Sequence, residues 1–284
     1  MESLFIMSIN SKSHHTKTSI IYWSCIALQV QNHFAEKVNQ NILIGIDDTD
    51  NKESRGTGYN ARQLGHLLKR EKLGEVYTIS RHQLFVHPDI PFTSQNSSAC
   101  LYIQNGNIDQ LIPVCQQFMQ QSCVPGSDGG LAIASLDNIA EKVIHWGKMA
   151  KKIVLKQADA WQLAKENDIF LEGFTGNNDG VIGALAAIGL RKWGNDGRCI
   201  WLKGKEIREI SGIFSQESLK SICPIDLIIT EEGIAAEADE LIQTDDWMRP
   251  AIKNHKITLY IEKSNHPKYK WHVKPKSLLK ALTD

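Results

Sequence analysis

The chain has 284 residues, about twice the usual domain length of roughly 100–150 residues, so two domains or one large one is the starting expectation. Apolar residues at 42% and charged residues at 23% are ordinary globular proportions, which excludes a disordered, collagenous or coiled-coil chain. Lys plus Arg and Asp plus Glu number 32 each, so no global field recruits a polyanion and any nucleic-acid contact has to rest on a local patch.

Residues 1–40 contain one apolar run, Ile20 to Val30, too short to span a bilayer. No small-residue cleavage site follows it, so the segment reads as a poorly ordered appendage rather than a leader. The first well-formed element is Asn41 to Ile46, a β-branched run ending in Asp47, Asp48, Thr49 and Asp50, as a buried strand entering a polar loop would read. A helix is predicted over Tyr59 to Lys72, strands over Val76 to Ser80 and Ala99 to Gln104, a helix over Ile108 to Gln121 and a strand over Leu131 to Ala134. That β-α-β-β-α-β order suits an α+β sandwich over residues 41–136.

Residues 137–284 read as a second α+β part. Helices are predicted over Ile139 to Lys156 and Asp159 to Asn167, then a glycine-punctuated stretch leads into a helix over Val181 to Leu190, with strands over Cys199 to Leu202 and Glu206 to Ile210. Residues 226–246 are rich in acid, and residues 255–284 are rich in lysine. Six scattered cysteines lack any C-x-x-C pair, which argues against a zinc site and for reduced thiols in a cytoplasmic protein. His82 and His87 have no partner at a diagnostic spacing and read as structural.

Three stretches could carry chemistry. Asp47, Asp48 and Asp50, at a strand end, are either a Mg2+ site, which wants one or two carboxylates plus waters and substrate phosphates, or plain turn and N-cap residues. Arg55, Gly56, Thr57 and Gly58, just ahead of a helix, are either a phosphate cradle with a hydroxyl facing the anion or an ordinary glycine turn. Asn178, Asp179, Gly180 and Gly183 open the alanine-rich helix, where they either serve a ligand or let a neighbour pack closely; the segment lacks G-K-[ST] and is no P-loop.

The strings I-G-I-D-D-T-D (Ile44 to Asp50), T-G-Y (Thr57 to Tyr59), H-P-D-I-P-F (His87 to Phe92) and D-G-V-I-G-A-L-A-A-I-G (Asp179 to Gly189) resemble, in this order, the archaeal agmatidine synthetases, which use ATP to attach agmatine to the wobble cytidine of an isoleucine tRNA. The resemblance implies a kinase-like domain with a ferredoxin-like component, ATP and Mg2+ as cofactors, Asp47, Asp48 and Asp50 as metal and ATP-phosphate ligands, and Thr57 at the place of a phosphorylated threonine. Two departures follow. The OB-fold and zinc ribbon of the family are expected to be missing, and Thr93 and Gln95 stand where the family tends to have Lys and Arg.

The function expected is ATP- and Mg2+-dependent phosphoryl transfer or activation of a small or nucleotide-like acceptor. Two alternatives remain: a stand-alone tRNA-modifying component that relies on partner chains, or a nucleotide-binding protein without turnover. The run K-Y-K-W-H-V-K-P-K mixes basic and aromatic residues as a nucleic-acid contact would, but reads better as a solvated terminal strand, so tight tRNA binding by this chain alone is not expected.

Overall fold

Strand β1 (Gln40–Asp47) organises the molecule, because alternation along it feeds two cores at once. Ile42, Ile44 and Ile46 point into one core and Leu43 into the other, all fully buried. A computed structural model describes residues 40–90, 95–203, 205–244 and 248–275; the appendage read over residues 1–40 therefore lies, apart from Gln40, outside the described residues. The elements that follow β1 are α1 (Thr57–Arg70), β2 (Glu75–Gln83), β3 (Ser97–Gly106), α2 (Ile108–Ser122) and β4 (Gly130–Ser135). Their strands lie in the order β4-β1-β3-β2, every neighbouring pair antiparallel, which is the split βαβ arrangement expected for a ferredoxin-like component.

Helices cover both faces. Ala61, Leu64 and Leu68 of α1 and Leu111, Cys115 and Met119 of α2 pack on the isoleucine face of β1. The opposite face carries α3 (Glu141–Ala150), α4 (Gln157–Glu166) and α5 (Gly180–Trp193), with β5 (Phe170–Gly173) added beside β4. Elements on either side of residue 137 thus share one core, and the chain's packing does not divide there.

A third core is drawn almost wholly from residues after Gly194. Beyond β2 the sheet continues through β6 (Arg198–Leu202), β11 (Ala251–Lys253), β12 (Lys256–Lys263) and β13 (Trp271–Val273). Short strands β7 (Lys205–Glu206), β8 (Ile213–Ser215), β9 (Leu227–Ile229) and β10 (Leu241–Gln243) and helix α6 (Gln216–Ile222) complete it around Leu219, Ile242, Leu259 and Trp271. The α+β class expected from the sequence is the class observed, with six helices among the described residues. None of those helices is long and apolar enough to cross a membrane.

Two element readings change. The helix read over Ile139 to Lys156 ends at Ala150, because the Ala150 carbonyl accepts from the Phe85 amide (2.9 Å) and Lys151 turns to pair with Asp196. The strand read over Glu206 to Ile210 is only the two-residue β7 followed by a 3-10 turn, Ile207–Glu209, since its apolar residues Ile207 and Ile210 both point into the third core rather than alternating. The basic-aromatic run contributes β13: Trp271 and Val273 are buried, while Lys270 pairs with Glu240 and Lys274 with Glu231. The lysine-rich segment and the acid-rich one therefore pair with each other at these points.

His82 has partners that no sequence spacing shows. Its Nδ1 lies 2.7 Å from Asp196 Oδ1 and its Nε2 lies 2.8 Å from Ser80 Oγ, all three residues buried. Burial holds the imidazole below its ordinary pKa and so neutral. Asp196 is held low despite burial, by the hydrogen bond from His82 and by Lys151. The constellation has the composition of a serine-hydrolase triad but is sealed from solvent, and it ties β2 to the loop after α5.

The tightest packing lies between α5 and the β1–β4 pair. A Cβ at Gly45 would run into the Ala184 carbonyl, so that position admits no side chain without moving the helix, and one at Gly183 would displace the Asp47 carboxylate. By contrast, a Cβ at Gly58 meets only Ile200 Cδ1 at 3.6 Å. Gly45→Ala is expected to lower unfolding free energy by about 2–3 kcal/mol through overpacking, whereas Gly58→Ala is expected to be neutral or to gain up to about 1 kcal/mol of helix propensity. Urea denaturation of the two variants checks this, and equal stabilities would show that α5 has room to move away from β1.

Candidate functional site

Where β1 ends, Asp48 takes a left-handed backbone conformation (φ 47°), which Asp and Asn tolerate better than most residues, and the chain turns sharply toward α1. The turn is fixed by hydrogen bonds that converge on Thr57. Asp50 Oδ1 accepts from the Thr57 amide (2.8 Å) and from the Thr57 hydroxyl (2.7 Å), so this carboxylate caps the start of α1, where the N-cap residue Gly56 has no side chain to do so. Thr57 Oγ1 accepts in turn from the Thr49 amide and hydroxyl, both at 3.3 Å, and Asn60 Nδ2 donates to Thr49 Oγ1 at 2.8 Å. The Thr57 hydroxyl is thus oriented, with its proton on a carboxylate.

Asp47, Asp48, Asp50 and Thr57 line a cleft together with Asp89, Asp128, Asp179, Gly180 and Gly183. The four sequence strings singled out above meet here: the end of β1, the start of α1, the His87-to-Ile90 turn and the start of α5. Crowding of carboxylates leaves a mark. Burial, together with the neighbouring Asp48 and Asp50 charges, pushes Asp47 well above the ordinary carboxylate pKa. Burial and the charges of Asp128, Asp50 and Asp179 push Asp48 up to about 6, against the hydrogen bond it accepts from the Asp128 amide. Apolar side chains, Leu84, Ile90, Ile153, Val154, Leu155 and Ile182, also line the cleft. Ile153 and Val154 are exposed, in the loop that follows the early end of α3.

Arg55, Gly56 and Gly58 line a second, adjoining pocket, which shares Asp50, Thr57, Gln95 and Ser97 with the cleft. Of the two positions where the family tends to have cations, Gln95 stands at this junction and Thr93 lies outside the described residues. Neither Gly56 nor Gly58 is needed for a backbone conformation or for packing, so what they provide is open wall. Asn178 lines neither pocket: its side chain packs against Gly173, while Asn177 and Asp179 hydrogen-bond to each other (2.8 and 2.9 Å). Sequence reasoning missed Asp128, whose S-D-G-G context reads as a turn, and missed Arg62, Arg81, Arg198, Arg208 and Arg249, which come from separate elements and meet only in the fold.

Among the described residues, no group of three or more His, Cys, Asp or Glu side chains is arranged to hold a metal ion by itself. Asp50 is committed to Thr57, and Asp48 accepts from the Asp128 amide. The donor set fits Mg2+, which takes one or two carboxylates and completes its shell with waters and substrate phosphates. The described cysteines do not compete as nucleophiles, since burial pushes Cys100, Cys115, Cys199 and Cys223 up to about 12 and Cys123 to about 11.

Asp48 gives the site a testable pH signature. Its folded pKa lies above its unfolded value, so its contribution is fully present below about pH 4 and is lost as pH rises through about 6. At pH 8 without divalent cation, Asp48→Asn is expected to be more stable than the parent by about 1–2 kcal/mol, after solvent screening at this part-buried loop. At pH 4 the two are expected to match. Denaturation at both pH values measures it; a parent as stable as the variant at pH 8 would show that the carboxylates do not strain one another.

No family model matches the chain. Over 157 residues it is 32% identical to TiaS of Methanosarcina acetivorans, the 2-agmatinylcytidine synthetase for an isoleucine tRNA, covering 52% of this chain and 35% of that enzyme. It is 27% identical over 157 residues to an uncharacterized protein of Methanocaldococcus jannaschii, covering 53% and 50%. A solved complex of TiaS with its isoleucine tRNA and ATP superposes with a TM-score of 0.48 at 24% identity, over 53% of this chain and 36% of that one. The chain thus spans between about a third and a half of the length of these curated relatives. About half of it is homologous to the N-terminal half of TiaS, the isoleucine-tRNA agmatidine synthetase.

Proposed function

We propose that the chain binds ATP with Mg2+ in the acidic cleft and transfers the terminal phosphoryl group to Thr57 or to a small or nucleotide-like acceptor. The observation that carries this reading is the Thr57 hydroxyl, hydrogen-bonded to Asp50 at 2.7 Å on the wall shared by two pockets. Homology of about half the chain to an enzyme that modifies an isoleucine tRNA supports it. Asp47 and Asp48, with Asp128 or Asp179 acting through water, are the residues that would hold Mg2+, which supplies charge neutralisation on the phosphates when bound. The apolar lining residues Ile153, Val154, Leu155 and Ile182 suit a purine face.

Phosphoryl transfer asks a protein mainly for positioning and charge stabilisation. Asp50 accepts the hydroxyl proton as the oxygen attacks phosphorus; the bond from that phosphorus to the bridging oxygen breaks, and ADP leaves with the bonding pair. The Thr49 amide and hydroxyl, each 3.3 Å from Thr57 Oγ1, fix the hydroxyl's direction, and one of these two contacts gives way as the oxygen attacks. Asp179, Gly180 and Gly183 bring the start of α5 to the cleft, where Gly183 fits closely on Asp47. Tight tRNA binding by this chain alone is not part of the proposal, because Lys270 and Lys274 of the basic run already pair with Glu240 and Glu231.

Incubation with ATP and Mg2+ is expected to add one phosphate mass at Thr57, and Thr57→Ala to abolish it. Asp50→Asn is expected to slow ATP turnover about 100-fold or more, as loss of a general base does, with circular dichroism confirming the fold. Intact-protein and peptide mass spectrometry read the first outcome and ADP release reads the second. ATP consumed at the parent rate by both variants would remove Thr57 and Asp50 from the chemistry; no ATP binding by the parent would end the reading altogether.

A further inference from the structure

Among the described residues, the second pocket is lined by six arginines, Arg55, Arg62, Arg81, Arg198, Arg208 and Arg249, together with the carboxylate of Asp50. They arrive from the loop before α1, from α1, β2 and β6, from the 3-10 turn after β7, and from the segment before β11. Arg62 and Arg198 are buried, at 7% and 9% exposure, and burying a guanidinium is costly unless its charge is met. Several of the contacts the protein supplies are to neutral groups. Arg62 donates to the Gly58 carbonyl (3.0 Å) and lies 3.7 Å from Glu206. Arg81 donates to Ser97 Oγ (2.8 Å) and Gln95 Oε1 (3.2 Å), and Arg55 stacks on the Tyr59 ring at 4.6 Å. The cations also oppose each other: burial, Arg208 and Arg55 hold Arg62 below its ordinary pKa.

An anion in the pocket relieves that repulsion, and the guanidinium fork matches phosphate oxygens in pairs. The start of α1 lies at the same wall, with its Thr57 amide already capped by Asp50, and the side-chain-free Gly56 and Gly58 leave that wall open. The cavity, about 520 Å³, falls in the small-ligand range of about 300–1,000 Å³. Its position bears on which molecule the anion belongs to. It adjoins the acidic cleft through Asp50, Thr57, Gln95 and Ser97, whereas the apolar side chains suited to the ATP base line the cleft. In-line transfer needs donor and acceptor on opposite sides of the transferred phosphorus, and the two pockets adjoin at Asp50 and Thr57, where that phosphorus would lie.

From this arrangement we infer that the arginine pocket is the acceptor site and that the acceptor is a small phosphate ester, a nucleoside monophosphate or a molecule of like charge, bound by its phosphate to the arginines. The inference rests on the proposed ATP-dependent transfer, and its test is built to fail separately.

With the protein saturated by a non-hydrolysable ATP analogue and Mg2+, calorimetric titration with cytidine 5′-monophosphate is compared with titration by cytidine, and with a short single-stranded RNA as a third arm. The monophosphate is expected to bind at least tenfold more tightly than the nucleoside, with affinity falling as salt rises. Arg208→Gln, at an exposed position, and Arg198→Gln are each expected to weaken it at least fivefold while leaving analogue affinity within twofold. Equal binding of monophosphate and nucleoside overturns the inference. Parallel weakening of analogue and monophosphate also overturns it, by assigning the pocket to the triphosphate of ATP and leaving the ATP reading intact. RNA binding more than tenfold tighter than the monophosphate, and lost in both variants, replaces the small acceptor by a polynucleotide. If the analogue does not bind but the monophosphate does, in an arginine-dependent way, the proposed function falls and the pocket's role as an acceptor site falls with it.

Discussion

The contact on which the site depends is the approach of α5 to β1, with no side chain between backbone and backbone. Gly45 lies under the Ala184 carbonyl, and Gly130 of the neighbouring β4 meets the Gly180 backbone one turn earlier, so a Cβ at either strand position would run into helix backbone, while Gly183 fits closely on the Asp47 carboxylate. This one contact does two things. It seals the second core through Leu43, Ala184 and Ile188, and it brings Asp179 into the same cleft as Asp47 and Asp48. Packing and chemistry are therefore linked at the strand end: the residues that set the helix spacing also set the spacing of the carboxylates.

Electrostatics give the site its polarity. On one side of Thr57 stand carboxylates whose pKa values burial and mutual repulsion push upward; on the other stand arginines, one of them, Arg62, held below its ordinary value. Asp50 and Thr57 occupy the boundary, hydrogen-bonded to each other. On the proposed reading, a cation bound on the first side and an anion on the second would both lower the energy of groups the fold crowds together, even though the net charge is zero. The buried Ser80, His82 and Asp196 network, by contrast, is saturated internally and closed to solvent, and its role is to tie β2 to the loop after α5.

Much of this was legible in the sequence because it is local. The β-branched run of β1 and the aspartates at its end, the glycines and Thr57 before α1, and the glycine and alanine pattern of α5 each carry their meaning within a few neighbours. The β-α-β-β-α-β succession reads as an α+β sandwich and the family resemblance implies its ferredoxin-like component, while the order β4-β1-β3-β2 itself comes from the structure. What was not legible is what depends on distant partners. Arg81, Arg198 and Arg249 sit far apart in sequence and make one pocket only through strand pairing. Asp128 looks like a turn residue until β4 places it beside Asp48. Helix α3 stops at Ala150 because of Phe85 and Asp196, neither of which its own periodicity can show.

The measurement that bears most directly on this account is a crystal structure of the protein with Mg2+ and a non-hydrolysable ATP analogue. The account expects the base against Ile153, Val154 and Ile182, the metal on the Asp47 and Asp48 side, and the terminal phosphorus about 3–3.5 Å from Thr57 Oγ1, the near-attack range for a reacting pair. A triphosphate lying among the arginines with its terminal phosphate remote from Thr57, or a metal bound away from the aspartates, would contradict it.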